Sequence, residues 1–255
     1  MHPFLSLGRL QIPVYGLVAA VGLICAMALG LRTARMAQVD RDAFWDAGMV
    51  TVFSAFVLSR ALLIAELFHT FLMYPVLVLE LPSLTKPGVL LTAIMALAYV
   101  RRRRMPLLRT LDAAAPCGAL LLMFLNLGLV ADGTREGMPT ALPWAVSSSF
   151  GRVHPVEAYL ALGWFLLCGE LLAILRRGRT PGRTAAWGLV LGGLLVFVID
   201  FFRLPQLLYG TTPLDSIQWR ALTAVGAGGL LLAWCFGVGA GANAMAGAKD
   251  VGDAV

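Results

Sequence analysis

Apolar residues run through this 255-residue chain in seven long stretches, each closed by a polar or basic turn, near residues 12–32, 44–68, 86–100, 108–130, 155–175, 184–202 and 217–240. The hydrocarbon core of a bilayer is about 30 Å thick and takes about 20 residues of α-helix to cross. Only an internally hydrogen-bonded helix or a closed barrel leaves no backbone group unsatisfied there. The pattern therefore predicts an all-α integral membrane protein, a bundle of seven transmembrane helices. The third stretch is short by this measure and is expected to tilt little or to carry an interfacial flank. No repeat or soluble segment interrupts the series, so residues 1–243 are expected to form one membrane domain and 244–255 a short cytoplasmic tail.

Composition agrees: a mean hydropathy of +0.82, with 59% hydrophobic and 13% charged residues, excludes a soluble domain of ordinary make-up. The N-terminal MHPFLSLGRLQIPVYG has neither a positive leader nor a small-residue cleavage site, so no removable signal peptide is expected. Cys25, Cys117, Cys168 and Cys235 lie in apolar runs without Cys-x-x-Cys spacing, which predicts packed thiols rather than disulfides or a zinc site. The net charge of +6 does not imply a nucleic-acid partner, because the arginines cluster in turns between apolar spans. With the N-terminus outside, thirteen basic residues fall on the cytoplasmic side: Arg32, Arg35, Arg41, Arg101 to Arg104, Arg109, Arg176, Arg177, Arg179, Arg183 and Lys249. Five fall outside, namely Arg9, Lys86, Arg135, Arg152 and Arg203. Basic residues favour the cytoplasmic side, so the N-terminus is expected outside and the C-terminus in the cytoplasm, with the long 131–154 loop facing outward.

Charge inside a span is costly and tends to face a protein interior. On this topology Arg60 lies within the second span. Glu66, His69, Asn126, Arg152, His154, Glu157, Tyr159, Asp200, Arg203 and Gln218 lie toward the outer half. One outward-facing polar pocket would account for them together. Taken singly, Asp200 and Arg203 could instead form an intrahelical pair with Arg203 reaching for water, Glu157 could complement a helix start, and Trp144 could anchor an interfacial loop. Retinal chemistry is excluded because neither lysine, Lys86 or Lys249, lies deep in a span. Three histidines (His2, His69, His154) do not suit membrane haem, and no phosphate-cradling glycine loop is present. Gly188 and Gly192 read as a helix-packing face. No cofactor is expected.

Several pieces, in order, resemble the bacterial prolipoprotein diacylglyceryl transferase family. IPVYGL resembles its first-span Tyr-Gly, here Tyr15 and Gly16, and LSRALL its Gly-Ala-Arg, here Arg60. RRRRMPLLRTLDAAAP resembles its basic turn with Asp-x-x-Ala-Pro, giving Asp112 and Pro116. DGTREGMPTALPWAV resembles the end of its signature through Gly133, Gly137, Pro139, Thr140, Pro143 and Trp144. VHPVEAYL resembles Arg-His-Pro-x-Gln-x-Tyr-Glu, and IDFFRLP resembles Glu-Phe-Phe-Arg-x-Pro. The chain departs from the pattern where the family's His-Gly-Gly becomes Lys86, Pro87 and Gly88, where Gly-Arg-x-Gly-Asn becomes Leu125 to Leu129, where the signature glutamate becomes Thr134, and where an arginine becomes Val196.

The resemblance implies transfer of a diacylglyceryl group from phosphatidylglycerol to the cysteine of a lipobox-containing preprolipoprotein, at the outer face of the bacterial cytoplasmic membrane. It implies catalytic roles for His154, Arg203 and Arg60. It implies substrate-binding roles for Tyr15, Arg152, Tyr159, Asn126, Gly137, Trp144, Asp200 and Gln218. Arginine suits a phosphate leaving group because its planar fork binds phosphate without losing charge, and histidine can shuttle the thiol proton. Because the departures fall on the chemical positions, two other readings stay open: a non-catalytic relative that binds phospholipid or lipobox peptide, alone or as a subunit of a membrane assembly, and a transporter or channel using the same pocket.

Overall fold

Each apolar stretch becomes a helix in the computed structural model, which describes residues 4–7, 10–73, 85–133, 137–148, 151–178, 180–204 and 214–252. The order is β1 (Phe4–Leu7), β2 (Leu10–Pro13), α1 (Val14–Met36), α2 (Arg41–Glu66), α3 (Phe68–Met73), α4 (Lys86–Arg102), α5 (Leu107–Asp132), β3 (Val146–Ser148), β4 (Gly151–Val153), α6 (Val156–Arg177), α7 (Arg183–Asp200) and α8 (Ser216–Gly252). Six of these, α1, α2, α5, α6, α7 and α8, are long and apolar enough to cross a membrane. Helix α4, at 17 residues, is shorter, as its sequence foretold. The chain is thus an all-α, multi-pass membrane protein with two small antiparallel hairpins that hydrophobic periodicity did not reveal. Helix α8 continues through residues 244–252, the stretch expected as a tail.

The arginine-bearing turns gather at one end of the bundle. Helix α1 closes with Val39 N–H donating to Ala34 C=O and Gln38 in the left-handed region (φ 57). Helix α4 closes alike, with Met105 N–H on Val100 C=O and Arg104 at φ 52. In both, the residue after the left-handed position is apolar and folds back under the helix, the device that lets so few residues reverse the chain. Val39 packs with Ala34, Ala37, Ala113 and Leu175, and Met105 lies against that cluster. Arg109 donates to Gln38 Oε1 at 3.0 Å, and Arg103 pairs with Asp46 at 3.6 Å across the exposed rim. Asp112, buried in the first turns of α5, reaches across to the start of α7, accepting from Gly182 N–H at 2.6 Å and Ala185 N–H at 2.8 Å. It therefore serves as the cap that α7 lacks locally, since its own N-cap residue is Gly182.

Helix α5 is the hub, packed against α1, α6 and α7, while α7 and α8 pack extensively on each other and α2 packs mainly on α4 and α1. Where helices meet, small residues let backbones approach. A Cβ on Gly193 would lie 2.7 Å from the carbonyl oxygen of Ala221, and one on Gly228 would lie 2.8 Å from that of Ala186. Gly188 and Gly192 face Leu171 and Trp164 of α6, the packing role their spacing suggested. Outward, Ile24, Phe53, Leu90, Leu162, Leu166 and Leu230 are each more than half exposed, the dress of a surface solvated by lipid tails.

Candidate functional site

At the end opposite the arginine turns, α5 stops where Gly133 adopts φ 67 and donates its N–H to Leu129 C=O. Residues 137–140 then run as a strand between two others. Met138 N–H donates to Phe202 C=O at 2.8 Å, His154 N–H to Met138 C=O at 3.0 Å, and Thr140 N–H to Arg152 C=O at 2.9 Å. Gly137 is paired with Arg203 and Pro139 with Val153. Gly137 has to be glycine, because a Cβ there would run into the His154 carbonyl and the Val156 side chain. Thr134 and Arg135 lie outside the described residues.

This stitched platform holds a polar and aromatic cluster. Trp144 Nε1 donates to Tyr159 Oη at 2.8 Å, and the same oxygen lies 3.3 Å from His154 Nδ1. Indole N–H can only donate, so the hydroxyl accepts there and either accepts from or donates to the imidazole. If it accepts, the histidine proton is on Nδ1 and Nε2 presents a lone pair. Phe202 packs 5.1 Å from the His154 ring and 6.2 Å from that of Tyr159. Arg152, exposed, donates to the carbonyls of Leu142 and Pro143 at 3.0 and 3.1 Å, bracing the turn that carries Trp144.

Beneath the cluster is a buried charge network. Arg203 Nη2 lies 3.0 Å from Glu157 Oε1 and its Nη1 lies 3.2 Å from Asp200 Oδ1, with the side chain only 8% exposed. The reading of Arg203 as an arginine reaching for water is overturned by that burial: two carboxylates on two helices hold it inside. Asp215 stands beside Asp200, within hydrogen-bonding reach. Asp215 also caps α8, accepting from Ile217 N–H at 2.8 Å and Gln218 N–H at 2.9 Å, while Gln218 Oε1 accepts from Asp215 N–H at 3.1 Å. This reciprocal capping box, Asp-x-x-Gln, is legible in the sequence DSIQ. The backbone groups of Met138 and Phe202, by contrast, are singled out by no sequence pattern.

The remaining candidates stand apart from this cluster, though at the same end. Tyr15 begins α1 and lies against Gly128 of α5, where a Cβ would be 3.0 Å from its ring. Asn126 is buried and returns Nδ2 to Leu122 C=O at 2.7 Å. Arg60, half-buried on α2, follows Ser59, whose Cα a Cβ on Gly88 of α4 would approach to 2.8 Å. Glu66 and His69 are exposed at the close of α2 and on α3. Through α2, Arg60 belongs to the α2–α4 side of the bundle, whereas His154 and Arg203 belong to the α6–α7 side.

Comparison with known proteins follows the same ordered motifs. The profile of a family described as prolipoprotein diacylglyceryl transferase matches residues 3–234. Among similar proteins, phosphatidylglycerol–prolipoprotein diacylglyceryl transferase of Synechococcus elongatus is 26% identical over an alignment covering 91% of this chain and 86% of its own. The protein of that name from Finegoldia magna is 22% identical, covering 87% and 91%. That of Verminephrobacter eiseniae reaches 34% over 58% of this chain and 56% of its own. With the match spanning nearly every helix, the chain belongs to the prolipoprotein diacylglyceryl transferase family.

Proposed function

We propose that this protein transfers, at the outer leaflet of a bacterial cytoplasmic membrane, the diacylglyceryl group of phosphatidylglycerol to the cysteine of a lipobox-containing preprolipoprotein. The observation that carries the reading is the His154–Tyr159–Trp144 network on a platform stitched to α7, at the end of the bundle opposite the arginine-rich turns. Since basic turns favour the cytoplasm, that platform faces outward, with the N-terminus outside, the C-terminus inside and α4 as the seventh span.

In the transfer, the cysteine sulfur forms a bond to the terminal glycerol carbon while that carbon's bond to the phosphate oxygen breaks, and glycerol phosphate leaves with the electron pair. The thiol proton goes to His154 Nε2, with Nδ1–H held by Tyr159. The exposed fork of Arg152 meets the phosphate, and Arg60, on the α2–α4 side of the bundle, draws the anionic lipid toward the site. Arg203, enclosed by Glu157 and Asp200, braces α6 against α7 beneath the histidine rather than touching the lipid. Tyr15, Asn126, Gly137, Asp200 and Gln218 shape the surrounding helix ends.

A second reading, lipid or lipobox binding without transfer, is favoured by the commitment of Arg203 to two carboxylates, which opposes an anionic leaving group. Reconstitution with phosphatidylglycerol and a lipobox peptide decides between them. Mass addition to the cysteine that disappears in His154→Ala supports transfer. Peptide or lipid retention with no mass addition by wild type overturns transfer and leaves binding.

A further inference from the structure

Between α1, α2, α4 and α5, in the half of the bundle nearest the arginine turns, lies an open cleft of about 420 Å³. Its walls include Ala26, Phe44, Gly48, Ala96, Leu111 and Gly118. The hydroxyls in that wall are already spent: Thr51 donates to Ala47 C=O at 2.7 Å and Thr110 to Pro106 C=O at 3.0 Å. Such a surface has nothing to offer water, and within a bilayer it is filled by hydrocarbon. The cleft is within the usual size range of a small-molecule pocket. It lies at the far end of the bundle from His154.

The mouth specifies which hydrocarbon. Val100, in the wall, is followed at once by Arg101 to Arg104, all exposed. Arg103 is balanced by Asp46, which leaves Arg101, Arg102 and Arg104 as the surplus charge. On α2, Arg41 lies three and four residues ahead of Phe44 and Trp45, on the same side of the helix, and its buried Nε has no hydrogen-bond partner among the described residues. A dry cleft with Arg41 one helical turn from its wall residues Phe44 and Trp45, and with a basic turn at its mouth, matches an amphiphile with an acyl chain and an anionic headgroup.

We propose that this cleft binds one acyl chain of an anionic phospholipid whose headgroup rests among Arg41, Arg101, Arg102 and Arg104. The lipid comes from the leaflet at the arginine-bearing end, is not consumed, and joins the α2–α4 pair to the α1–α5 hub. The site is separate from the outward-facing platform and does not depend on transfer activity.

Gly118 provides the test, because a Cβ there meets nothing within 4 Å, so a side chain at this lining position starts into open space and takes up cleft volume. The full-length protein is placed in phosphatidylcholine nanodiscs carrying a rising fraction of tail-dibrominated phosphatidylglycerol. Emission of Trp45, a wall residue, is isolated by subtracting that of Trp45→Phe. A lipid at the outward platform is too far away to quench it, since the ends of a spanning helix are about 30 Å apart. Wild type is expected to show saturable quenching, with phosphatidylglycerol enriched about tenfold at Trp45 over the bulk lipid. Gly118→Leu is expected to show only a linear rise, with a melting temperature at or above that of wild type. Arg101→Gln/Arg102→Gln/Arg104→Gln, which changes exposed residues and leaves the cleft intact, is expected to lose most of the enrichment. A linear response in wild type, saturable quenching that survives in a folded Gly118→Leu, or enrichment unaffected by the triple substitution would each overturn the proposal.

Discussion

Replacing Glu157 with glutamine keeps the shape of the partner that meets Arg203 Nη2 at 3.0 Å but removes its charge. A hydrogen bond to an ionised group contributes about 1.5–3 kcal/mol net and a neutral one about 0.5–1.5, so the substitution is expected to cost about 1–1.5 kcal/mol. Arg203→Ala is a different perturbation. It takes from Glu157 and Asp200, both buried and both acidic, the guanidinium that each of them meets. Removing one partner of a buried ion pair costs about 3–5 kcal/mol, so this variant should be clearly the less stable of the two. Equilibrium unfolding in mild detergent, followed by the near-ultraviolet signal of the six tryptophans, measures both. If Arg203→Ala proves as mild as Glu157→Gln, the arginine is not the buried keystone described above, and its assignment as a brace between α6 and α7 fails.

Three further outcomes follow from the same geometry. Asp112→Ala should destabilise the protein by about 1–3 kcal/mol, because two N–H groups at the start of α7 lose their acceptor; Asp112→Asn, which keeps one oxygen, should cost less in the same unfolding assay. Gly88→Val should be poorly tolerated, since even a Cβ would stand 2.8 Å from Ser59 Cα; loss of folded yield in detergent is the readout, and normal yield would contradict the close packing of α2 on α4. Tyr159→Phe should leave the fold intact while reducing transfer about 10²-fold or more, because His154 loses the hydrogen bond that orients it; an unchanged kcat would remove the histidine from the chemistry.

How far the sequence disclosed this structure depended on the kind of signal. All seven apolar stretches became helices, and apart from α8, which runs to Gly252 rather than ending near 240, the ends fell within a few residues of expectation, because length and hydropathy are local properties of the chain. The gathering of arginine turns at one end followed from alternation alone. The partners of buried ions did not. Glu157 read equally well as a helix-start charge, and only the fold shows it on Arg203, 46 positions away. Asp112 looked like a lone acid in a span, yet its acceptors serve a helix that begins 71 residues later. The stitching of residues 137–140 was likewise invisible, since backbone hydrogen bonds between short strands leave no periodic trace over so few residues. The polar residues expected to share one pocket are divided between the α6–α7 and α2–α4 sides, a division that sequence position alone does not carry.

The three backbone hydrogen bonds around residues 137–140 act as a hasp across the tops of α5, α6 and α7. Those three helices cannot splay at that end unless Met138, Thr140 and His154 release together, so among the described residues widening of the bundle is easiest away from this clasp. That leaves the seam beside α2 and α4, a pair tied to the remainder mainly through α1. On the transfer proposed above, a two-tailed lipid would slip in sideways from the bilayer at that seam, and the clasped half would stay still as the anvil against which it is worked.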